Sequence, residues 1–214
     1  MSPRNRIYFR MKPEDRILEA ASELFFRHGV RSITMDAIAA HLGMSKRTIY
    51  DSFEDKDAIV KALTQQELAG REKELHDIRK QSENSIDEIM RAMGYMEKCF
   101  GRINPSLFYD LQKFHPAAWK HFRVFKEEKM QVFIEENLKR GIKQELYRKD
   151  LRIKILAKLR IEEVELGFNS LVFPSSKFNF TEVQIALLDH FLHGIVTLKG
   201  HKLINKYKEV IEVE

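Results

Sequence analysis

The sequence predicts an all-α protein, and three observations carry that expectation. Apolar residues recur at three- to four-residue spacing, while no segment alternates apolar and polar residues over a useful length. The chain has only 9 Gly and 5 Pro in 214 residues with 43% hydrophobic residues, the composition of long globular helices rather than of a disordered chain. Finally, helix start and stop residues bracket the periodic segments, beginning with Pro13-Glu14-Asp15.

Proline suits the first helical position, and the two acids behind it complement the helix dipole. Ile17, Leu18, Ala21, Leu24, Phe25 and His28 then share one face until Gly29 stops the helix. A second helix runs from Thr34, its N-cap, to Leu42, with Gly43 as terminator. A third starts at Ser45 and reaches Phe53, and Asp55 caps a fourth of about twenty residues. Beyond a polar stretch near 71–84, longer helices are expected over 86–100, 105–114, 116–140, 150–171 and 181–207. Their breaks fall at Gly101–Pro105, His115-Pro116, Gly141 onward and Phe173–Ser176.

Composition limits the function classes. No apolar run approaches a membrane span, and the N-terminus lacks the apolar core of a signal peptide, so a cytoplasmic protein with no membrane partner is expected. The single cysteine, Cys99, excludes an internal disulfide framework. A net charge of +5 permits a polyanionic partner without demanding one. Residues 1–12 carry Arg4, Arg6, Arg10 and Lys12 without an acid and read either as a basic arm or as a solvated terminus.

The stretch from Thr34 to Phe53 has the parts of a helix-turn-helix. Ala39 is small where two helices must approach, Gly43 tolerates the turn, and Ile49 anchors the second helix on Met35, Ile38 and Leu42. Those directions put Lys46, Arg47 and Tyr50 on the outer side, beside the free N–H groups at the helix start. An ordinary αα-corner with solvated basic residues is the competing reading.

Residues 14–60 closely resemble the N-terminal DNA-binding domain of the TetR family of transcriptional regulators. The resemblance lies in "ILEAASELFFRHGV", "SITMDAIAAHLGMSKRTIYDSF" and "EDKDAIV", with Gly29, Thr34, Ser45-Lys46-Arg47-Thr48-Ile49-Tyr50, Phe53 and Lys56 in register. It implies phosphate contacts from Thr34, Ser45, Tyr50 and Lys56. It implies base contacts mainly from Arg47, with Lys46 and Thr48 on bases or phosphates. Asp51 departs from the His or Tyr common there, and must pair with Arg47, accept from a cytosine amino group, or point away.

The resemblance therefore implies an N-terminal three-helix helix-turn-helix domain followed by a helical ligand-binding and dimerisation domain. The expected boundaries are a basic arm over 1–12, the DNA-binding domain over 13–60 and the C-terminal domain over 61–214. From Val183 to Leu198 the chain is apolar nearly all round, as is the preceding helix, and two such helices favour a homodimer. Candidate interface residues are Ile153, Leu156, Leu187, Phe191 and Ile195. Tyr95, Met96, Cys99, Phe108, Trp119 and Phe122 are candidate effector-pocket residues, with core packing as the alternative. His190 and His193 with Asp189 lack a placed third ligand, so no metal is expected.

No Gly-rich phosphate loop, Cys/His cluster or nucleophile elbow occurs, so neither catalysis nor a cofactor is expected. The function expected is a homodimeric regulator, a repressor of a palindromic double-stranded DNA operator that a small-molecule effector releases. The alternative is a DNA-binding dimer without a small ligand, controlled by a protein partner.

Overall fold

The computed structural model describes residues 12–100 and 106–211; apart from Lys12, the basic arm lies outside them. The chain forms two compact units, one from residues 1–69 and 102–123 and the other from 70–101 and 124–214.

The first unit opens with α1 (Pro13–His28), which Gly29 ends at φ 79°, its N–H donating to the Phe25 carbonyl. Next come α2 (Met35–Leu42) and α3 (Lys46–Ser52). Thr34 accepts from the Ala37 N–H at 3.1 Å and Ser45 from the Thr48 N–H at 3.1 Å, caps that contribute about 1 kcal/mol each. Between them Gly43 adopts a left-handed φ of 62°, which lets the Met44 N–H return to the Ala39 carbonyl at 3.0 Å and closes α2. The start of α4 (Lys56–Gln81) is capped by Asp55, whose carboxylate accepts from the Ala58 N–H at 2.7 Å.

This unit has one core. Ile17, Ala21 and Phe25 of α1 pack with Ile38 and Ala39 of α2, Ile49 of α3 and Ile59 of α4. Leu107 and Leu111 of α6 (Ser106–Phe114) and Ala118 of α7 (Pro116–Val124) complete it. The α6–α7 corner thus packs with the N-terminal helices, although the sequence reading grouped it with the C-terminal ones. Polar contacts fasten it there. Asp110 accepts from the Arg31 N–H at 3.3 Å, and the buried His115 ring lies 2.6 Å from the Asp57 carboxylate.

The second unit contains the end of α4, then α5 (Ser85–Phe100), a π-helical turn at Phe125–Met130, and α8 (Gln131–Lys143). It ends with α9 (Ile153–Gly167), α10 (Phe180–Ile195) and α11 (Leu198–Ile211). Its core joins Ile86, Leu138, Tyr147, Ala157, Leu192 and Ile204. Beside that core is a polar network. Glu88, fully buried, accepts from Arg79 at 2.9 Å and from Arg140 at 3.1 Å. The Tyr147 hydroxyl lies 3.1 Å from both the Ser85 carbonyl and the Asn137 carboxamide oxygen, and burial pushes its pKa up. Its ring occupies the space above Gly141, where a Cβ would stand 2.0 Å from it.

Three helix boundaries differ from expectation. α4 continues to Gln81, and α9 spans Ile153–Gly167 instead of 150–171. The expected helix over 181–207 is two helices, because Val196 is extended (φ −78°, ψ 154°) and bridges antiparallel to Tyr147. Thr197 N–H donates to the Leu146 carbonyl at 2.9 Å, and its hydroxyl accepts from the Gly200 N–H to start α11.

Candidate nucleic-acid interface

On α3 the buried and exposed positions separate cleanly. Ile49 is fully buried against α1 and α2, whereas Lys46, Arg47 and Tyr50 are exposed, Tyr50 at 51%. A seven-residue helix has little surface of its own to hold it, so the single isoleucine and the Ser45 cap fix its direction. The Ser45 and Thr48 hydroxyls lie 2.9 Å apart at its start.

The basic residues are restrained by acids. Lys46 Nζ is 2.5 Å from the Asp36 carboxylate of α2, and Arg47 Nε is 4.0 Å from Asp51 one turn later. Both pairs are largely exposed, where water and salt weaken them, so phosphates or bases can displace the acids. Of the three alternatives for Asp51, the loose pairing with Arg47 is the one present.

Lys56 occupies a different environment. Half-buried, its ammonium donates to the Val30 carbonyl at 3.2 Å and the Ile33 carbonyl at 3.1 Å. It braces the loop that ends in the Thr34 cap. Asp36 and Asp57, the partner of His115, were not singled out from sequence, since an acid in a first helical turn is sufficiently explained by the dipole. Their partners become visible only in three dimensions.

The pocket residues expected from sequence divide between the units. Trp119 stacks on Phe122 with centroids 5.2 Å apart, and Phe108 meets Phe122 edge-on at 5.3 Å, all in the first unit. In the second unit, burial and a hydrogen bond with the half-buried Cys99 push the Tyr95 hydroxyl up to about 12. Met96 lines a cavity with Met93, Glu97, Thr181, Gln184, Ile185 and Leu188, a space of about 10 Å³. The Gln184 amide nitrogen donates to the Val164 carbonyl at 2.8 Å, while its buried oxygen has no hydrogen-bond partner.

The interface residues are also redistributed. Phe191 and Ile195 fill the chain's own core at 5% and 2% exposure, and Leu187, Ile153 and Leu156 are half-buried. The helical period explains this: Phe191 and Ile195 share a face with Leu188 and Leu192, which turns inward onto Ala157 and Ile204. On α9 the exposed apolar residues are Ile155, Leu159 and Leu166. His193 Nδ1 contacts the Asp189 carbonyl at 2.8 Å, and its ring lies 5.1 Å from that of His201. Among the described residues no three His, Cys, Asp or Glu gather as metal ligands, and no helix is long and apolar enough to cross a membrane.

Comparison with known proteins fits this geometry. Residues 17–63 match the family described as bacterial regulatory proteins, tetR family. An uncharacterised HTH-type transcriptional regulator from Bacillus subtilis, YvaF, is 25% identical over 183 residues, covering 85% of this chain and 95% of that protein. A TetR-family regulator from Agrobacterium tumefaciens has the same fold at a TM-score of 0.72 and 18% identity, covering 86% of this chain and 98% of that one. A transcriptional regulator from Saccharomonospora viridis solved with choline aligns at 0.71 and 18% identity, covering 86% and 97%. The matched residues 17–63 include α2 and α3, which present Lys46, Arg47 and Tyr50, so this part of the chain is similar to the bacterial regulatory proteins of the tetR family, and the chain as a whole shares the fold of the solved regulators.

Proposed function

We propose that the protein is a repressor that binds a palindromic operator as a homodimer and leaves it when a small molecule binds the second unit. The observation that carries this reading is the exposed Lys46-Arg47-Tyr50 surface around the buried Ile49. Arg47 reads base edges, its planar fork matching guanine O6 and N7. Lys46 and Thr48 contact bases or phosphates, while Ser45, Thr34 and Tyr50 receive the backbone. Lys56, already engaged by two carbonyls, serves the phosphates by fixing the Thr34 loop.

A twofold dimer supplies two such helices for two half-sites. The stripe Ile155, Leu159 and Leu166 on α9, exposed at 58%, 46% and 40%, is the apolar surface such a partner covers. Leu187 and Ala186 on α10 extend the contact, and Ile153 and Leu156 support it from below. Effector binding is supported by the choline-bound neighbour of the same fold. The Met93 and Met96 side chains around the cavity can rearrange to admit a ligand, and the unsatisfied Gln184 oxygen offers an acceptor. The small volume of that cavity, about 10 Å³, favours a second reading in which a protein partner supplies the signal.

Selection of binding sites from random duplex DNA tests the proposal. Enrichment of a palindrome, with affinity that falls steeply with salt, supports it. Recovery of no sequence, or a Leu159→Glu variant that stays dimeric by light scattering, counts against it.

A further inference from the structure

The outer face of α6, in the first unit, carries two cations gathered on aromatic rings. Leu107, Asp110 and Leu111 turn inward, which leaves Tyr109, Lys113 and Phe114 exposed. Lys113 Nζ donates to the Tyr109 hydroxyl at 2.8 Å and lies 5.2 Å and 5.5 Å from the Tyr109 and Phe114 ring centroids. The Arg31 guanidinium, from the loop between α1 and α2, stands 5.3 Å from the same Phe114 ring. Two positive groups thus share one ring, whose attraction for exposed cations is weak. Among the described residues no carboxylate pairs with either side chain. The acids of this corner are engaged elsewhere: the buried Asp110 accepts from the Arg31 backbone N–H, and the more exposed Asp57 pairs with His115. Converging cations without a counter-charge call for an anion.

We propose that this face holds the sugar-phosphate backbone of the duplex flanking the bases that α3 reads, an inference that rests on the repressor reading above. Continuity with the recognition surface supports it. Arg31 lies three residues before Thr34, so the two are within about 11 Å of each other. Lys56 donates to the Val30 and Ile33 carbonyls on either side of Arg31, which ties this loop to the start of α4. Successive phosphates of one strand rise by about 3.4 Å, so Arg31 and Lys113 take phosphates a few steps beyond the one at Thr34. Charge also favours the match. Lys46 and Arg47 must exchange Asp36 and Asp51 for DNA, whereas the rings hold Arg31 and Lys113 in place without neutralising them. Contacts of this kind raise affinity and fix register but carry no sequence information.

Anisotropy titrations of the full chain test this with the palindrome selected from random duplex and with a mismatched one. The pair Arg31→Gln and Lys113→Gln is compared with Lys149→Gln and Lys202→Gln, which removes two exposed cations from the second unit. The first pair should flatten the plot of log affinity against log salt by about two per protomer, while the palindrome-to-mismatch ratio stays the same. The second pair should leave the slope as it is. Replacing single flanking phosphates with neutral methylphosphonates should weaken the unsubstituted protein by about threefold at a few positions and leave the Arg31, Lys113 variant indifferent there. A purely structural role would produce no such match between side chain and phosphate. An unchanged slope, the same flattening from the second pair, an altered ratio, or equal sensitivity of both proteins at every flanking phosphate would each overturn the proposal. Those outcomes leave the repressor reading standing, whereas an unsubstituted protein that binds no duplex would overturn both.

Discussion

Lys46 and Asp36 are 2.5 Å apart, tying the first residue of α3 to the first turn of α2. The pair lies across the surface assigned to DNA, so Asp36 both orients Lys46 and competes with phosphate for it. Their side chains are 65% and 57% exposed, and such a pair adds little to stability. Asp36→Asn should therefore leave thermal melting nearly unchanged and strengthen binding to non-specific duplex by roughly two- to fivefold. Fluorescence anisotropy at fixed salt measures this, and weaker binding would mean that Asp36 mainly positions the lysine.

Arg47 is 90% exposed, and the carboxylate paired with it, Asp51, stands 4.0 Å away. Its loss should cost discrimination rather than fold. Arg47→Ala is expected to reduce preference for the selected operator over a mismatched one by about 1–3 kcal/mol. A variant that binds both sequences more weakly but keeps their ratio would reassign Arg47 to the phosphates.

Glu88 is the charge on which the second unit depends most. It is fully buried between Arg79 and Arg140, and Arg79 also donates to the Phe133 carbonyl at 2.7 Å. Removing the carboxylate leaves two partly exposed guanidinium groups beside each other without the charge they share, although Arg79 keeps its pairing with Glu136. Glu88→Ala should destabilise the protein by about 3–5 kcal/mol, measured by urea unfolding. A loss below about 1 kcal/mol would show that water readily replaces the carboxylate.

Tyr147 sets an alkaline limit. Its hydroxyl is buried, so its folded pKa is raised above the ordinary tyrosine value of about 10. Below that value both folded and unfolded states hold the proton, and the group's contribution is fully present. As pH rises past about 10 the unfolded chain releases the proton first, so stability falls with pH. Tyr95, raised to about 12, acts in the same direction. Tyr147→Phe should flatten the fall of melting temperature between pH 10 and 11, at a cost near 1 kcal/mol at neutral pH from the lost hydrogen bond. An unaltered alkaline slope would mean the hydroxyl is not the group responsible.

Much of the N-terminal unit was legible because its instructions are local. Pro13, Thr34, Gly43, Ser45 and Asp55 act within four residues of themselves, and the structure shows each at its expected helix end. The outward side of α3 followed from Ile49 packing back onto Met35, Ile38 and Leu42 across the Gly43 turn. The second unit was less legible because long-range contacts decide it. Val196-Thr197 sits in an apolar periodic run and looks helical until Leu146 and Tyr147 arrive beside it. Phe191 and Ile195 are as apolar as Ile155 and Leu159, and only neighbouring helices determine which pair turns inward. The ammonium of Lys56 is likewise claimed by carbonyls more than twenty residues away.

The crossing of Leu146–Arg148 with Ile195–Thr197 has a consequence for chain length. Arg148 N–H donates to the Ile195 carbonyl and Thr197 N–H to that of Leu146, both at 2.9 Å, so everything from α9 to the end of α10 is an excursion pinched shut at its neck. Each doubling of a flexible loop costs only about 0.6 kcal/mol of closure entropy. Leu171, 91% exposed between α9 and α10, marks where the excursion can grow. Relatives can therefore lengthen or trim that connection while the neck keeps α11 in its place.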